Sequence, residues 1–283
     1  MAPVSCRIRK ADRDDLQHIL ERAASYGWNS GIDDGSLLYL ADPDGFFAGE
    51  VDGELVAAIA GPAYPPAYGF IGLWFVLPSH RGRNIGAALL HAALNRLGER
   101  GVTLNAVPET HAFWKRCGFV DVYSNVRFSI EGARRRTTDP AVIPVRGDAV
   151  EKVIAYDGMI SGIERYDFVK AWVTQPRAKA VCYKDGATVR GYGVMRKARS
   201  GFRLGPVFAD GSAIAAELLA SLLSQAPESE PVLLEVPSAN SAATELAESF
   251  GMKRVYESYN MTRGSAPDAM LDRWFGVTNL NVG

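Results

Sequence analysis

The chain of 283 residues lacks most of the groups that mark other functional classes. It has three cysteines, Cys6, Cys117 and Cys182, odd in number and scattered. They form neither a disulfide framework nor a metal-ligand spacing, which predicts a reducing, cytoplasmic compartment. Four dispersed histidines argue against a catalytic metal. Lys plus Arg number 31 against 32 for Asp plus Glu, a net charge of −1. That balance gives no electrostatic case for a nucleic-acid or membrane partner. No apolar run is long enough to span a bilayer, and Met1-Ala2-Pro3-Val4-Ser5 has no apolar core for secretion. No Gly-x-x-x-x-Gly-Lys-[Ser/Thr] occurs, which excludes a P-loop. A Rossmann dinucleotide site is disfavoured too, because residues 102–107, the next predicted strand after the only basic Gly-containing loop, carry no acid.

That loop is the most informative stretch present. Residues 70–77 read as an apolar strand running into Arg81-Gly82-Arg83-Asn84-Ile85-Gly86, and an apolar-periodic helix opens there with Ala87-Ala88-Leu89-Leu90. Backbone N–H groups of such a loop converge on one point, and the positive end of the helix dipole faces the same way, so the element can hold a phosphate or pyrophosphate. The alternative is an ordinary strand-to-helix turn with solvated arginines. The hexapeptide resembles motif A of the GNAT N-acetyltransferase superfamily, [Q/R]-x-x-G-x-[G/A], which grips the pyrophosphate of acetyl-CoA. It departs at Asn84, where the pattern has Gly. Asn is the residue that best tolerates a left-handed backbone after Gly.

The chain also repeats itself. At an offset of 133 positions, Asp52-Gly53 falls on Asp185-Gly186, Gly72 on Gly205, Leu89-Leu90 on Leu222-Leu223, and Gly118 on Gly251. Strands at 46–51 and 55–60 joined by an Asp-Gly turn are matched by 179–184 and 188–195. A strand into a helix, 70–77 with 86–99, is matched by 202–209 with 212–225. Each half then adds a strand and a short helix ending at Gly118 or Gly251, as a left-handed C-cap requires. Two copies of one α/β fold are expected, with a boundary in the polar run 131–140, which includes Arg134-Arg135-Arg136. The expected domains are 1–132, binding acyl-CoA, and 140–283, a degenerate copy serving a substrate pocket or a structural role.

Taken over nearly its full length, the chain resembles a tandem GNAT protein with a YitH-type C-terminal domain. Gly27-Trp28-Asn29, residues 41–47, the motif A loop, Tyr166-Asp167, Gly191-Tyr192-Gly193, residues 205–210 and Phe275-Gly276-Val277-Thr278 carry that likeness. It implies an α/β fold of the α+β type, two tandem GNAT domains, each a mixed, mostly antiparallel sheet flanked by helices. It also implies acetyl-CoA as cosubstrate, no metal, and N-acetyl transfer to a small-molecule amine.

Acyl transfer to an amine needs a neutral amine near the carbonyl carbon, hydrogen bonds to the developing oxyanion, and help for the departing thiolate. The family meets the first need where two central strands part, here 70–77 and 102–107. Backbone groups at Trp74, Phe75 and Val76 would then hold the pantetheine arm, with Arg81, Gly82, Arg83, Asn84, Ile85, Gly86 and Ala87 on the pyrophosphate. As side chains, Trp74 and Phe75 read equally as core. The family often places a Tyr acid four residues before the helix-ending Gly. Here that position is Trp114, and Ala247 in the second copy, and neither is an acid. Trp114 is expected against the coenzyme instead. His111, Cys117 and Tyr123 are the possible substitute acids, of which histidine alone is a residue type that titrates near neutrality, and Glu50 and Asp33 are the candidate bases. Each also reads as an ordinary surface or structural residue. Trp28, Asn29, Tyr166 and Asp167 are the candidate substrate contacts, with core and helix-cap roles as the alternatives for Trp28 and Asn29. The second copy carries Asp210-Gly211-Ser212-Ala213-Ile214-Ala215 in place of the loop. One coenzyme site per chain is expected. A non-catalytic coenzyme or metabolite sensor on the same scaffold is the alternative.

Overall fold

The structure is a computed structural model, and it describes residues 6–131 and 139–283. The run Arg134-Arg135-Arg136 and the boundary at residue 132 lie outside the described residues. The first half runs β1 (Arg7–Lys10), α1 (Arg13–Ala24), α2 (Asp34–Leu38), β2 (Phe46–Val51), β3 (Glu54–Ala60), β4 (Ala63–Tyr64), β5 (Tyr68–Val76), α3 (Ile85–Leu97), β6 (Gly101–Ala106), α4 (Pro108–Arg116) and β7 (Val120–Ile130). The second runs β8 (Val142–Pro144), α5 (Asp148–Ser161), α6 (Tyr166–Thr174), β9 (Ala178–Asp185), β10 (Thr188–Lys197), β11 (Phe202–Ala209), α7 (Ser212–Leu223), β12 (Val232–Pro237), α8 (Ser241–Ser249), β13 (Lys253–Arg263) and β14 (Trp274–Gly276).

Local chemistry sets these elements. Asp52 and Gly53 both take positive φ, 52° and 81°, which closes β2 onto β3 as a two-residue turn matched to strand twist. Asp12 caps α1 reciprocally with Asp15, each side chain taking the other's backbone N–H. Gly118 and Gly251, at φ 84° and 79°, follow the last turns of α4 and α8, where the left-handed conformation favours Gly.

The strands form one continuous hydrogen-bonded path, β1-β2-β3-β5-β6-β13-β7-β12-β11-β10-β9-β8. Only β5 with β6 and β11 with β12 are parallel. The sheet is therefore mixed, mostly antiparallel and flanked by helices. The halves trade their last strands: β13 pairs with β6 of the first half, and β7 pairs with β12 of the second. The two exchanged strands pair antiparallel at the centre. Two stretches of chain that are separate in sequence thus share one sheet.

The core follows that exchange. On one face, Leu89, Ala93 and Leu97 of α3 pack on Val56, Ile71 and Leu104, and Leu218 and Leu222 of α7 pack on Val232, Leu234 and Phe128. A third cluster is shared between the halves, joining Leu16 and Ile19 of α1 to Val153 of α5 and Trp172 of α6.

The repeat departs from its single offset at one place. β5 and α3 are separated by residues 77–84, whereas β11 and α7 are separated by 210–211 alone. The second copy has lost the loop, and its helix starts six positions early on the 133-residue diagonal.

Candidate active site

Parallel pairing of β5 to β6 ends at Ile71 opposite Leu104. One residue later β5 carries a bulge: Gly72 faces Ala60 and Phe75 faces Ala58, so two residues of β5 oppose one of β3. Leu73, buried, takes φ 47° to make it. Past the bulge, the edge of β5 turned toward β6 has no strand to bond, and its backbone groups border an open gap. Asn105 of β6 borders the gap from the other side.

The loop sits at the mouth of that gap. Gly82 has φ 76° and Asn84 has φ 60°, ψ 9°, so Asn84 does adopt the left-handed conformation. Ala88 N–H is the first in α3 to bond back, to Asn84 O at 3.0 Å. Ile85, Gly86 and Ala87 N–H have no backbone acceptor among the described residues, as expected at a helix start. Gly82 and Arg83 are exposed, and Arg81 Nε donates to Val76 O at 3.1 Å, which folds the loop back over the end of β5. Trp74 Nε1 donates to Gly86 O at 3.1 Å, and its ring lies 5.0 Å from Trp114 and 5.2 Å from Phe113. Trp114 is buried and lines the gap. Phe75 points to the opposite, shared core. These elements make a basic, amide-lined cradle with an aromatic channel behind it.

The gap widens into a cleft of about 490 Å³ that reaches into the second half. Its floor is one face of the continuous sheet, with Arg196 (β10), Arg203 (β11), Arg127 (β7), and Tyr256 and Ser258 (β13). Its far wall is the segment Gly27–Ser30 with the C-terminal residues Asn279, Leu280 and Asn281. The floor charges are tied up. Glu235 Oε1 accepts from Arg127 Nε at 2.5 Å and from Arg203 Nη2 at 2.6 Å. Burial alone would raise the Glu235 carboxyl; the two guanidiniums outweigh it and hold it below its ordinary value. Burial pulls Arg203 down despite its partner. Arg196 pairs with Asp34, and its guanidinium lies 4.0 Å from the centre of the Trp172 ring.

Several expected site residues lie elsewhere. Trp28 and Asn29 line the cleft, and the Asn29 side chain clamps Ser200, donating to its carbonyl at 2.7 Å and accepting its N–H at 3.1 Å. Asn29 is therefore a tie between the halves and not a helix cap. Tyr166 and Asp167 do not reach the cleft: they open α6 on the outside, where Tyr166 Oη donates to Glu151 at 2.8 Å. Glu50 is drawn to Arg9 on the neighbouring strand at 2.8 Å, far from the gap in strand order. His111 turns away from the gap to Asp121 at 2.5 Å and stacks on Tyr259 at 4.3 Å. Tyr123 lines a separate cavity of about 80 Å³, where burial pushes its phenol well above its ordinary value. None of Glu50, His111 and Tyr123, nor Cys117 or Asp33, is on the cleft wall. The wall carboxylates are Asp34, consumed by Arg196 and by Gly31 N–H at 2.8 Å, and Glu109, in the first turn of α4, with no ion-pair partner among the described residues. Glu109 had a sequence signal, an acid three residues past the end of β6.

The second copy of the gap is closed. Pairing of β11 with β12 ends at Leu204 opposite Leu234, and β11 bulges at the matching place, yet β14 lies in the opening against Val207 and Phe208. Val277 N–H bonds Glu235 O across it at 2.8 Å. Before α7, the Asp210 carboxylate accepts from Tyr156 Oη at 2.9 Å and Arg273 Nη1 at 3.0 Å.

Known proteins share this arrangement. Residues 13–119 match the acetyltransferase (GNAT) family and residues 153–276 match an acetyltransferase (GNAT) domain. Holothin acyltransferase from Pseudoalteromonas sp. (strain SANK 73390) is 26% identical over 97% of this chain and 94% of its own length. A candidate acetyltransferase from Pyrococcus horikoshii superposes with a TM-score of 0.82 at 21% identity, over 98% of this chain and 96% of that one. A tandem GNAT protein from the clavulanic acid biosynthesis pathway gives 0.63 at 14% identity, over 91% and 98%. The chain is a tandem GNAT protein, a member of the acetyltransferase (GNAT) family with one GNAT domain matched in each half.

Proposed function

We propose that this chain transfers an acetyl group from acetyl-CoA to a primary amine of a small molecule by direct attack, at one site per chain. The observation that carries this reading is the open gap beside the bulge at Leu73, with the free N–H groups of the 82–87 loop at one end and a polar cleft at the other. The first half binds the coenzyme and the second half supplies the floor on which the acceptor lies. The loop N–H groups, with Arg81 and Arg83, hold the pyrophosphate by charge-assisted hydrogen bonds. Trp74 and Trp114 flank the pantetheine arm. Unpaired backbone N–H groups along the edge of β5 polarise the thioester carbonyl as negative charge develops there.

Glu109 takes a proton from the acceptor's ammonium, directly or through one water, and the neutral amine so freed attacks the thioester carbonyl. Beside the parting strands, the Trp114 indole does not ionise usefully and Thr110 Oγ1 donates to Val107 O at 3.2 Å; the phenols on the cleft lining are Tyr26 and Tyr256. Thiolate departure is served by backbone amides and water. The Pseudoalteromonas relative is named for acylating holothin, which supports a small-molecule acceptor for this chain too.

The test is release of CoA thiol from acetyl-CoA with and without pools of small amines. Amine-dependent release is expected. Glu109→Gln is expected to lower kcat by about a hundredfold at neutral pH with acetyl-CoA affinity unchanged. Tight coenzyme binding with no amine-dependent release would favour the sensor reading over catalysis.

A further inference from the structure

Four buried side-chain atoms have no hydrogen-bond partner among the described residues: Arg196 Nε, Ser258 Oγ, Asn279 Nδ2 and Asn125 Oδ1. Buried polar atoms are rarely left so, because each forfeits its hydration without return. Their distribution is not scattered. Arg196, Ser258 and Asn279 all line the cleft, Asn279 bordering the smaller cavity at Tyr123 as well, and Asn125 donates at 2.8 Å to Asn105, which borders both. Arg196, Ser258, Asn125 and Asn279 are 2%, 2%, 1% and 7% exposed.

The hydrogen bonds these side chains do make fix what remains. Asn279 Oδ1 accepts from Asn281 N–H and Val282 N–H, at 2.7 and 3.0 Å, so its amide N–H groups are the unused end. Asn105 Oδ1 accepts from Asn125 and Asn260, at 2.8 and 3.0 Å, which leaves its own amide N–H groups over. The terminal nitrogen of Arg196 is held by Asp34 while Nε is not. The surplus is mostly donors. The charge placement points the same way: Arg127 and Arg203 share a single oxygen of Glu235, so one floor guanidinium has no carboxylate of its own, and the carboxylate that balances it in number is Glu109 of the cleft wall, unpaired among the described residues.

We propose that the acceptor amine carries, at its far end, a carbonyl-type oxygen (a carboxylate or a carboxamide) that seats on the Arg196–Arg203 floor with Ser258 and Asn279. The amine end then faces Glu109 and the gap. A second ammonium at the far end is disfavoured, because it would meet the surplus guanidinium and give the donors nothing to bond. This rests on the cleft being the acyl-transfer site.

The test uses benzylamine and its para-carboxamide, para-carboxylate and para-aminomethyl derivatives, one body with four far ends. Thiol release from acetyl-CoA is measured with the full chain, and acetyl-CoA binding is measured in parallel. The carboxamide or the carboxylate is expected to exceed benzylamine by about tenfold or more in kcat/KM, with the diamine lowest. Whichever oxygen derivative leads tells whether the floor reads charge or dipole. Ser258→Ala is expected to raise KM for the preferred compound about fivefold or more while acetyl-CoA affinity and thermal stability stay level or rise, since an unpartnered hydroxyl is removed. Equal use of all four compounds, use of none, or a leading diamine overturns the inference while coenzyme binding persists. Failure to bind acetyl-CoA at all overturns the acyl-transfer reading itself.

Discussion

The two halves of this chain carry the same gap in the same sheet and use it differently. In the first half, residues 77–84 lie between β5 and α3, and the parting strands open onto a cleft. In the second half, residues 210–211 do the same job, and β14 fills the opening. Where the first half offers free N–H groups and arginines at the helix start, the second offers the Asp210 carboxylate, already bonded to Tyr156 and Arg273. The second gap is thus closed by three local features: a shorter loop, an acidic side chain already bonded, and a strand of the same chain. The opposite face of the second half has not closed. Arg196 and Arg203, the latter held by Glu235, line the floor of the first half's cleft.

The strongest way to break the comparison is to separate the halves. A fragment of residues 1–138 keeps β7 but loses β13, so β6 has an unpaired edge and Met261 is missing from the core under α3. We expect it to be insoluble or unfolded by circular dichroism. A soluble fragment with native-like coenzyme affinity would show that the strand exchange is dispensable.

A matched pair of substitutions sharpens the contrast between the two helix starts. At Gly86 an added Cβ meets Trp74 and Val76 at ordinary contact distance, so Gly86→Asp should fold and set a carboxylate beside the anion cradle. Repulsion at about 4 Å costs about 1–4 kcal/mol, up to hundreds-fold in affinity, and near-complete loss of acetyl-CoA binding by calorimetry is expected. Gly211→Asp has open space around it and should leave that binding unchanged. If the two variants behave alike, the halves are not distinguished by their loops.

The pH dependence of stability separates the floor from the surface. Glu235, buried, is held below its ordinary value of 4.5 by Arg203 and Arg127. A depressed carboxyl contributes stability above its unfolded value, and that contribution is lost as pH falls through the lower folded one. Thermal melts should therefore be flat near neutrality and drop by a few kcal/mol as the pH falls below about 4. Asp121 is also depressed, by Lys115 and His111, but it is exposed, and Asp121→Asn should leave the acid limb of the profile in place.

The smallest effect is expected at His111. Its ring is held by Asp121 and Tyr259 outside the cleft, so His111→Ala should change turnover by less than about tenfold. A collapse of kcat with unchanged coenzyme affinity would place the acid on that helix after all.

The sequence was informative where structure is local. The Asp52-Gly53 turn, the Gly118 and Gly251 caps and the left-handed Asn84 follow from residue type and short spacing, whereas Trp114 was expected near the coenzyme only through the family resemblance. The strand exchange was not legible, because β7 and β13 show the same alternation whichever neighbour they pair with. The floor escaped for a related reason. Arg127 and Arg203 alternate with apolar neighbours as a solvent-facing row would, and Ser258 sits between Glu257 and Tyr259, so nothing local marked Arg203 and Ser258 as buried. Glu50, His111, Tyr123, Tyr166 and Asp167 were near the motifs in sequence, but strand order and helix face put them elsewhere.

The central claim, one working gap and one closed gap, is tested most directly by the stoichiometry of acetyl-CoA binding to the full chain, measured by calorimetry with active protein concentration fixed independently. The account predicts one coenzyme per chain, lost in Gly86→Asp and retained in Gly211→Asp. Two equivalent sites, or a single site that survives Gly86→Asp, would contradict it.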